Sequence, residues 1–392
     1  MLWLRLRGCG RAAGPSAQSG SAAITGKIGV RSHIRRGAAN RAHSNNPLCW
    51  LVQPSGGRVS GDRRRLLEQW LDLVRPEWVG PLESASSDAS FRRYWRFAYQ
   101  DWTLIAVDAP PEREDSARFA RLTRAFRQVG INSPEVIAED HRRGFLVLSD
   151  LGRITYLKRL TTTTADALYG DAIDALIKLQ VGLSAADLPL YDERLLWREL
   201  SLFVDWLLEA LLELELAASE KAQVEAAFGQ LVEHALEQPR VAVHRDYHSR
   251  NLMLSEFANP GVLDLQDAVL GPLTYDPVSL LKDCYIAWPR KMVLRWLARY
   301  AERARAARLP VPADWGQLVR WFDLMGAQRH LKAAGIFARL AVRDGRHGYL
   351  ADLPRTLGYV EELGGLYPEL RPLAGLISER VRPRLDGLNR DR

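Results

Sequence analysis

The chain has 392 residues, 47% hydrophobic and 26% charged, enough to bury a large core in two lobes or domains. Its net charge of +7 is uneven: residues 1–61 hold nine of the 54 Lys and Arg and no acid, which leaves 45 basic against 47 acidic residues after Gly61. A near-neutral body excludes the basic face of a nucleic-acid enzyme, and no uninterrupted run of about eighteen apolar residues implies a membrane span.

The cysteines, Cys9, Cys49 and Cys284, are far apart, against a disulfide framework or zinc site and in keeping with a reducing, cytoplasmic setting. Residues 1–61 are rich in Gly, Ala, Ser and Arg without periodicity, which predicts a disordered basic tail. It reads as a transit peptide, a basic arm, or upstream sequence from a start assigned too early. The last is preferred, because the recognisable body starts after Gly61.

A helix is predicted from Asp62, with Leu66, Leu67, Trp70, Leu71 and Val74 recurring at helical spacing and Pro76 and Gly80-Pro81 closing it. Ser84–Ser90 is a small polar loop before two alternating strands, Phe91–Tyr99 and Trp102–Val107. Such a loop is where a kinase folds backbone over nucleotide phosphates, although this one has no glycine; an ordinary hairpin connection reads equally well. Arg92 and Arg93 are candidate phosphate contacts, but a strand points them to opposite faces, so one of the two is expected to reach. The second strand lacks the lysine that grips the α- and β-phosphates in protein kinases.

Arg113–Val129 reads as a helix, followed by a hairpin of Pro134–Ala138 and Phe145–Leu148. Phe145–Gly152 then leaves the sheet, either as a hinge meeting adenine, with Ser149 and Asp150 as nucleotide candidates, or as a plain strand end. Helices are expected at Asp166–Val181, Asp192–Leu216, Lys221–Leu236, Val293–Ala307, Trp315–Val342 and Leu353–Leu363. The order predicts an α+β bilobal fold, with a strand-rich N-lobe at 62–150 and a helical C-lobe at 151–392, and Asp246, Asn251 and Asp264 make it protein-kinase-like.

The chemistry concentrates in Val241–Asp267. Short apolar runs flank His244-Arg-Asp-Tyr-His-Ser-Arg-Asn251, and Asp264 follows a third run. An Asp, an Asn five residues on and an Asp thirteen further suit phosphoryl transfer. Asp246 would accept the proton of the attacking hydroxyl. Asn251 and Asp264 would hold Mg²⁺ on the phosphates of ATP, since Mg²⁺ takes oxygen ligands and keeps several waters. His244, Asp267 and Asp276 are expected as support. Asp267 could also touch the metal, and Asp276 could cap the next helix or brace the loop. Acceptor contacts are sought at Tyr285, Trp288, Gln328, Arg329 and His330, each of which has a packing role as its alternative.

The pattern His244-x-Asp246-x-His248-x-x-Asn251 resembles the aminoglycoside phosphotransferase/choline kinase family. HRDYHSRNLM, VLDLQDAVLGPLTYDPVSLLKDCYIAWP, GAQRHLKAAGIFARL, SSDASFRRYWR and IAVDAPPERE resemble the bacterial N-acetylmuramate/N-acetylglucosamine kinases within it, over roughly residues 62–385. That resemblance implies ATP-dependent phosphorylation of the anomeric hydroxyl to the α-1-phosphate, in peptidoglycan recycling linked to fosfomycin tolerance, and a missing strand lysine. It also implies a small-molecule partner, with no nucleic acid, membrane or obligatory protein partner. A kinase of another hydroxyl compound (aminoglycoside, choline or homoserine type) is the alternative. Lys282–Arg295, mixed and slightly basic, disfavours a polycationic substrate.

Overall fold

The computed structural model describes residues 58–390 except 87–90, 185, 187 and 257, so residues 1–57 of the basic tail and most of the Ser84–Ser90 loop lie outside the described residues, while 58–61, expected as disordered tail, are helical. Helix α1 (Arg58–Val74) starts four residues before Asp62 and lays Leu67, Trp70 and Leu71 on the sheet, while Leu66 stays exposed. A strand follows that the pattern did not predict, β1 (Trp78–Ser86). Gly80 sits at φ +88° and two register shifts interrupt the pairing, so bulges break the alternation by which a strand is recognised.

Strands β2 (Arg93–Tyr99) and β3 (Trp102–Asp108) form a hairpin, and helix α2 (Ser116–Gln128) is capped by Asp115, which accepts the Arg118 N–H at 2.9 Å. Strands β4 (Val136–Asp140) and β5 (Phe145–Ser149) complete an antiparallel sheet of order β1-β2-β3-β5-β4. Alternation decides its two faces. Leu104 and Ala106 of β3 pack with Phe145 under α1, whereas Ile105 and Val107 turn with Leu146 and Leu148 towards Phe119 of α2.

The second lobe begins with α3 (Ala165–Gly182) and α4 (Glu193–Leu202), which runs on through wide turns at Phe203–Leu211, and then α5 (Ala218–Leu236). Two small sheets follow. β6 (Arg240–Val243) pairs with β9 (Val269–Pro272), and between them β7 (Leu252–Met253) pairs with β8 (Gly261–Val262). Helices α6 (Tyr275–Leu281), α7 (Arg290–Ala306), α8 (Trp315–Asp344), α9 (Leu353–Leu366), α10 (Arg371–Leu376) and α11 (Arg382–Arg390) complete the lobe. Thirty residues make α8 about 45 Å long. It is the lobe's axis and passes close to the end of α4, where a Cβ on Gly335 would stand 2.3 Å from the Leu202 carbonyl carbon.

Candidate active site

The His244–Asn251 loop leaves β6 and leads into β7 of the other small sheet. Two buried carboxylates clamp it from behind. Asp276, in the first turn of α6, accepts the backbone N–H groups of His244 at 2.6 Å and Arg245 at 3.0 Å. Asp283 accepts those of Ser249 and Tyr285, both at 2.9 Å. Burial pushes the Asp276 carboxyl up to about 7 despite its two donors. Arg245 takes φ +77°, a left-handed conformation that costs a non-glycine residue about 1–2 kcal/mol. The tertiary structure holds it there. Its guanidinium ion-pairs with the buried Glu199 of α4 and reaches towards Asp267, which is exposed.

Asp246 is half-buried at the loop's centre. Burial alone would raise its carboxyl, but Lys332, Arg245 and Arg329 around it bring the value down to about 2. Burial lowers the neighbouring His248 too and keeps it neutral, so the acting cations are the lysine and the arginines. Lys332 is fixed by Glu199 at 3.1 Å and the Tyr275 hydroxyl at 2.9 Å. Among the described residues no side chain hydrogen-bonds the Asp246 carboxylate, so its oxygens can meet a substrate hydroxyl while remaining ionised. His244 is wholly buried, accepts the Asp246 N–H on Nδ1 at 3.3 Å, and is held neutral by burial, at about 4.

Asn251 donates Nδ2 to the Asp246 carbonyl at 3.1 Å and lies 3.5 Å from an Asp264 carboxylate oxygen. Asp264 follows β8 at φ +65°, and Gln266 steadies its other oxygen at 2.6 Å. The Asn251 amide thus stands beside the Asp264 carboxylate, and an amide oxygen with a carboxylate would be a fitting donor set for Mg²⁺. Among the described residues no group of three or more His, Cys, Asp and Glu converges, so phosphates and water would complete the shell of such an ion.

Asn251 and Asp264 form one end of a cleft of about 710 Å³ between the lobes. Tyr94, Ile105, Phe119 and Leu148 supply an apolar wall, with Met253 and Leu263 among its other lining residues. Ser149 and Asp150 line the same cleft at the lobe junction. The Asp150 carboxylate is already engaged: it takes the Arg96 Nε at 2.5 Å, the Thr103 hydroxyl at 2.7 Å and the Gly152 N–H at 3.0 Å. It shapes the hinge through this ion pair. Arg92 is buried beside α2, and Arg93 is exposed.

The sugar candidates fall into different surroundings. Tyr285 is half-buried beneath Arg250, whose guanidinium carbon is 3.6 Å from the ring centroid, and its edge meets His248. Trp288 donates to the Tyr169 hydroxyl at 2.8 Å and packs on Trp296. Arg329 is buried with Nη1 3.5 Å from the Cys284 sulfur. Gln328 is buried against Tyr191, and His330 stacks on Tyr359 with Nε2 2.8 Å from the Lys282 carbonyl. Gln328 and His330 are thus core side chains, because α8 is buried all round at that level.

Sequence reasoning missed Glu199, Lys332, Asp283 and Gln266. Glu199 had a readable signal, since it interrupts the apolar stripe Leu196–Leu200–Phe203 on α4. Asp283 and Gln266 carried none, because loop geometry alone gives them their roles.

Residues 81–315 match a family described as "Phosphotransferase enzyme family". The N-acetylmuramate/N-acetylglucosamine kinase of Pseudomonas aeruginosa is 47% identical over 331 residues, covering 82% of this chain and 98% of that one. Its namesake in Neisseria meningitidis is 42% identical over 324 residues, covering 81% and 96%. Among solved structures, the choline kinase LicA of Streptococcus pneumoniae superposes with a TM-score of 0.54 at 11% identity, covering 76% of this chain and 98% of that one. The gentamicin complex of APH(2")-IIa gives 0.52 at 15%, covering 74% and 95%. Both carry the fold alone, which is mixed: an antiparallel N-lobe sheet and a helical C-lobe.

Proposed function

The chain belongs to the phosphotransferase enzyme family, and from that premise we propose that it transfers the γ-phosphoryl group of ATP to the anomeric hydroxyl of N-acetylmuramate and N-acetylglucosamine, giving the α-1-phosphate in the cytoplasm. The observation that carries this reading is Asp246: an ionised, half-buried carboxylate, its backbone one hydrogen bond from Asn251, which meets Asp264 in the cleft. Relatives at 47% and 42% identity, both N-acetylmuramate/N-acetylglucosamine kinases, support the acceptor.

The hydroxyl oxygen attacks the γ-phosphorus, its proton passes to Asp246, and the bond to the β-phosphate oxygen breaks, leaving ADP. An anomeric hydroxyl is more acidic than other sugar hydroxyls, so a carboxylate suffices as acceptor. Asn251 and Asp264 would hold Mg²⁺, which supplies charge neutralisation on the phosphates. Arg245, anchored by Glu199, and the Asp276 and Asp283 clamps hold the loop in position. Peptidoglycan recycling fits this acceptor. Among the described residues no helix is long and apolar enough to cross a membrane.

The test is ADP release by the full chain with Mg²⁺ and ATP on adding each amino sugar, with gentamicin and choline as comparison acceptors. Release with either amino sugar, and a 1-phosphate product by ³¹P NMR, is the expected result. Release only with gentamicin or choline would overturn the acceptor assignment.

A further inference from the structure

The strand that carries the phosphate-gripping lysine in protein kinases offers none here. The side chains that β3 turns towards α2 and the cleft wall are Ile105 and Val107, both apolar. Val107 is paired with Tyr94 of β2, and Tyr94 lines the cleft. Two residues before Tyr94, on the same side of the extended chain, stands Arg92.

Arg92 donates Nη2 to the Glu114 carboxylate at 2.7 Å, and both side chains are shielded, at 6% and 12% exposure. Its guanidinium lies 5.3 Å from the ring of Phe119, another residue of the cleft wall. Burial weakens its charge, whereas Tyr94, Glu114 and Asp264 strengthen it. Glu114 stands one residue before Asp115, the N-cap of α2, the helix between β3 and β4. A cation–carboxylate pair tied to that helix is the arrangement phosphoryl transfer uses to seat the nucleotide.

Among the described residues four other cations, Arg96, Arg153, Lys158 and Arg250, line the cleft directly, whereas Arg92 borders its Phe119 wall. Arg96 is spent on Asp150 and the Gly152 carbonyl, and Arg153 pairs with Glu83. Arg250 lies on Tyr285 beside Asp352, and Lys158 is exposed on the opposite lobe. Arg93 points away to solvent.

We infer that Arg92, oriented by Glu114, contacts the α- and β-phosphates of the bound nucleotide and does the work of the missing strand lysine. The charge has moved one strand over, from β3 to the entry of β2. A guanidinium can keep its carboxylate partner while a second face of its fork meets a phosphate oxygen, which an ammonium does less readily. This rests on the kinase reading only in that the cleft takes a nucleoside polyphosphate; it does not depend on the sugar.

The test is calorimetric binding of ADP and of adenosine to the full chain, each with and without Mg²⁺. Arg92→Ala is expected to weaken ADP by about 10- to 100-fold and adenosine by less than about twofold, in both conditions. Arg92→Lys should recover only part of the ADP affinity, because an ammonium cannot hold Glu114 and a phosphate with one planar fork. Glu114→Gln should weaken ADP by roughly 10-fold, because the arginine loses its orienting partner. If Arg92→Ala does not fold, Arg92→Gln is read in the same way. Unchanged ADP affinity, or equal losses for ADP and adenosine, would overturn the assignment. Wild-type protein that binds ADP in this Arg92-dependent way but turns over neither amino sugar would sink the acceptor reading and leave this one standing.

Discussion

The two walls of the cleft handle charge in opposite ways. On the N-lobe side, charges neutralise each other in pairs: Arg96 with Asp150, Arg92 with Glu114, Arg153 with Glu83. On the C-lobe floor, Lys332, Arg245 and Arg329 surround Asp246, yet among the described residues none hydrogen-bonds its carboxylate. The first pattern fixes shape. The second leaves one ionised group ready to accept a proton. Two aspartates on the same floor sharpen the contrast: Asp246 is drawn down to about 2 by cations, whereas burial raises Asp276 to about 7 with both oxygens engaged by backbone. Residue type is the same, and environment assigns the role.

The sharpest way to break this contrast is Asp246→Asn. It should lower kcat by about 10³-fold or more while the protein still folds, with a modest fall in the urea midpoint because the surrounding cations stabilise the ionised carboxylate. Near-normal turnover would show that the floor does not hold the proton acceptor. On the opposite wall, Arg96→Met strands the buried Asp150 and should cost roughly 3 kcal/mol in urea unfolding. A loss under about 1 kcal/mol would mean that the pair behaves like a surface one.

Gln266→Leu removes the hydrogen bond on Asp264 and should raise the Mg²⁺ concentration for half-maximal activity about 10-fold, with little change in the KM for sugar. An unchanged Mg²⁺ titration would detach Asp264 from the metal. The smallest effect concerns pH. The folded Asp246 carboxyl lies below its unfolded value of about 4, so its stabilising contribution is complete above that value and is lost as pH falls towards about 2. Lys332→Met should move the acid limb of kcat/KM upward by about one pH unit, because the first of the opposing cations is gone. A limb that stays in place would remove Lys332 from the electrostatics of the base.

Much of the site was legible because the reaction needs particular residues at particular separations along one short loop. Asp246, Asn251 and Asp264 lie within nineteen positions, and the hairpin between them brings Asn251 and Asp264 together. The sugar candidates were less legible. Periodicity marks α8 as a helix but does not say that it is buried all round, and that burial puts Gln328 and His330 in the core. Strand β1 escaped because bulges disrupt its alternation, and β9 because it ends in Gly271-Pro272, residues that seldom sit in strands.

By itself the sequence determined the order of lobes, the catalytic loop and the absence of a strand lysine, since each is a local pattern of residue types. Only the tertiary structure decided which arginine is buried beside α2 and which is exposed, and that Glu199 and Lys332 converge behind Arg245 from helices 133 positions apart. The reason is physical: a charge's role depends on what shields it and what stands within a few ångströms, and distant segments supply both.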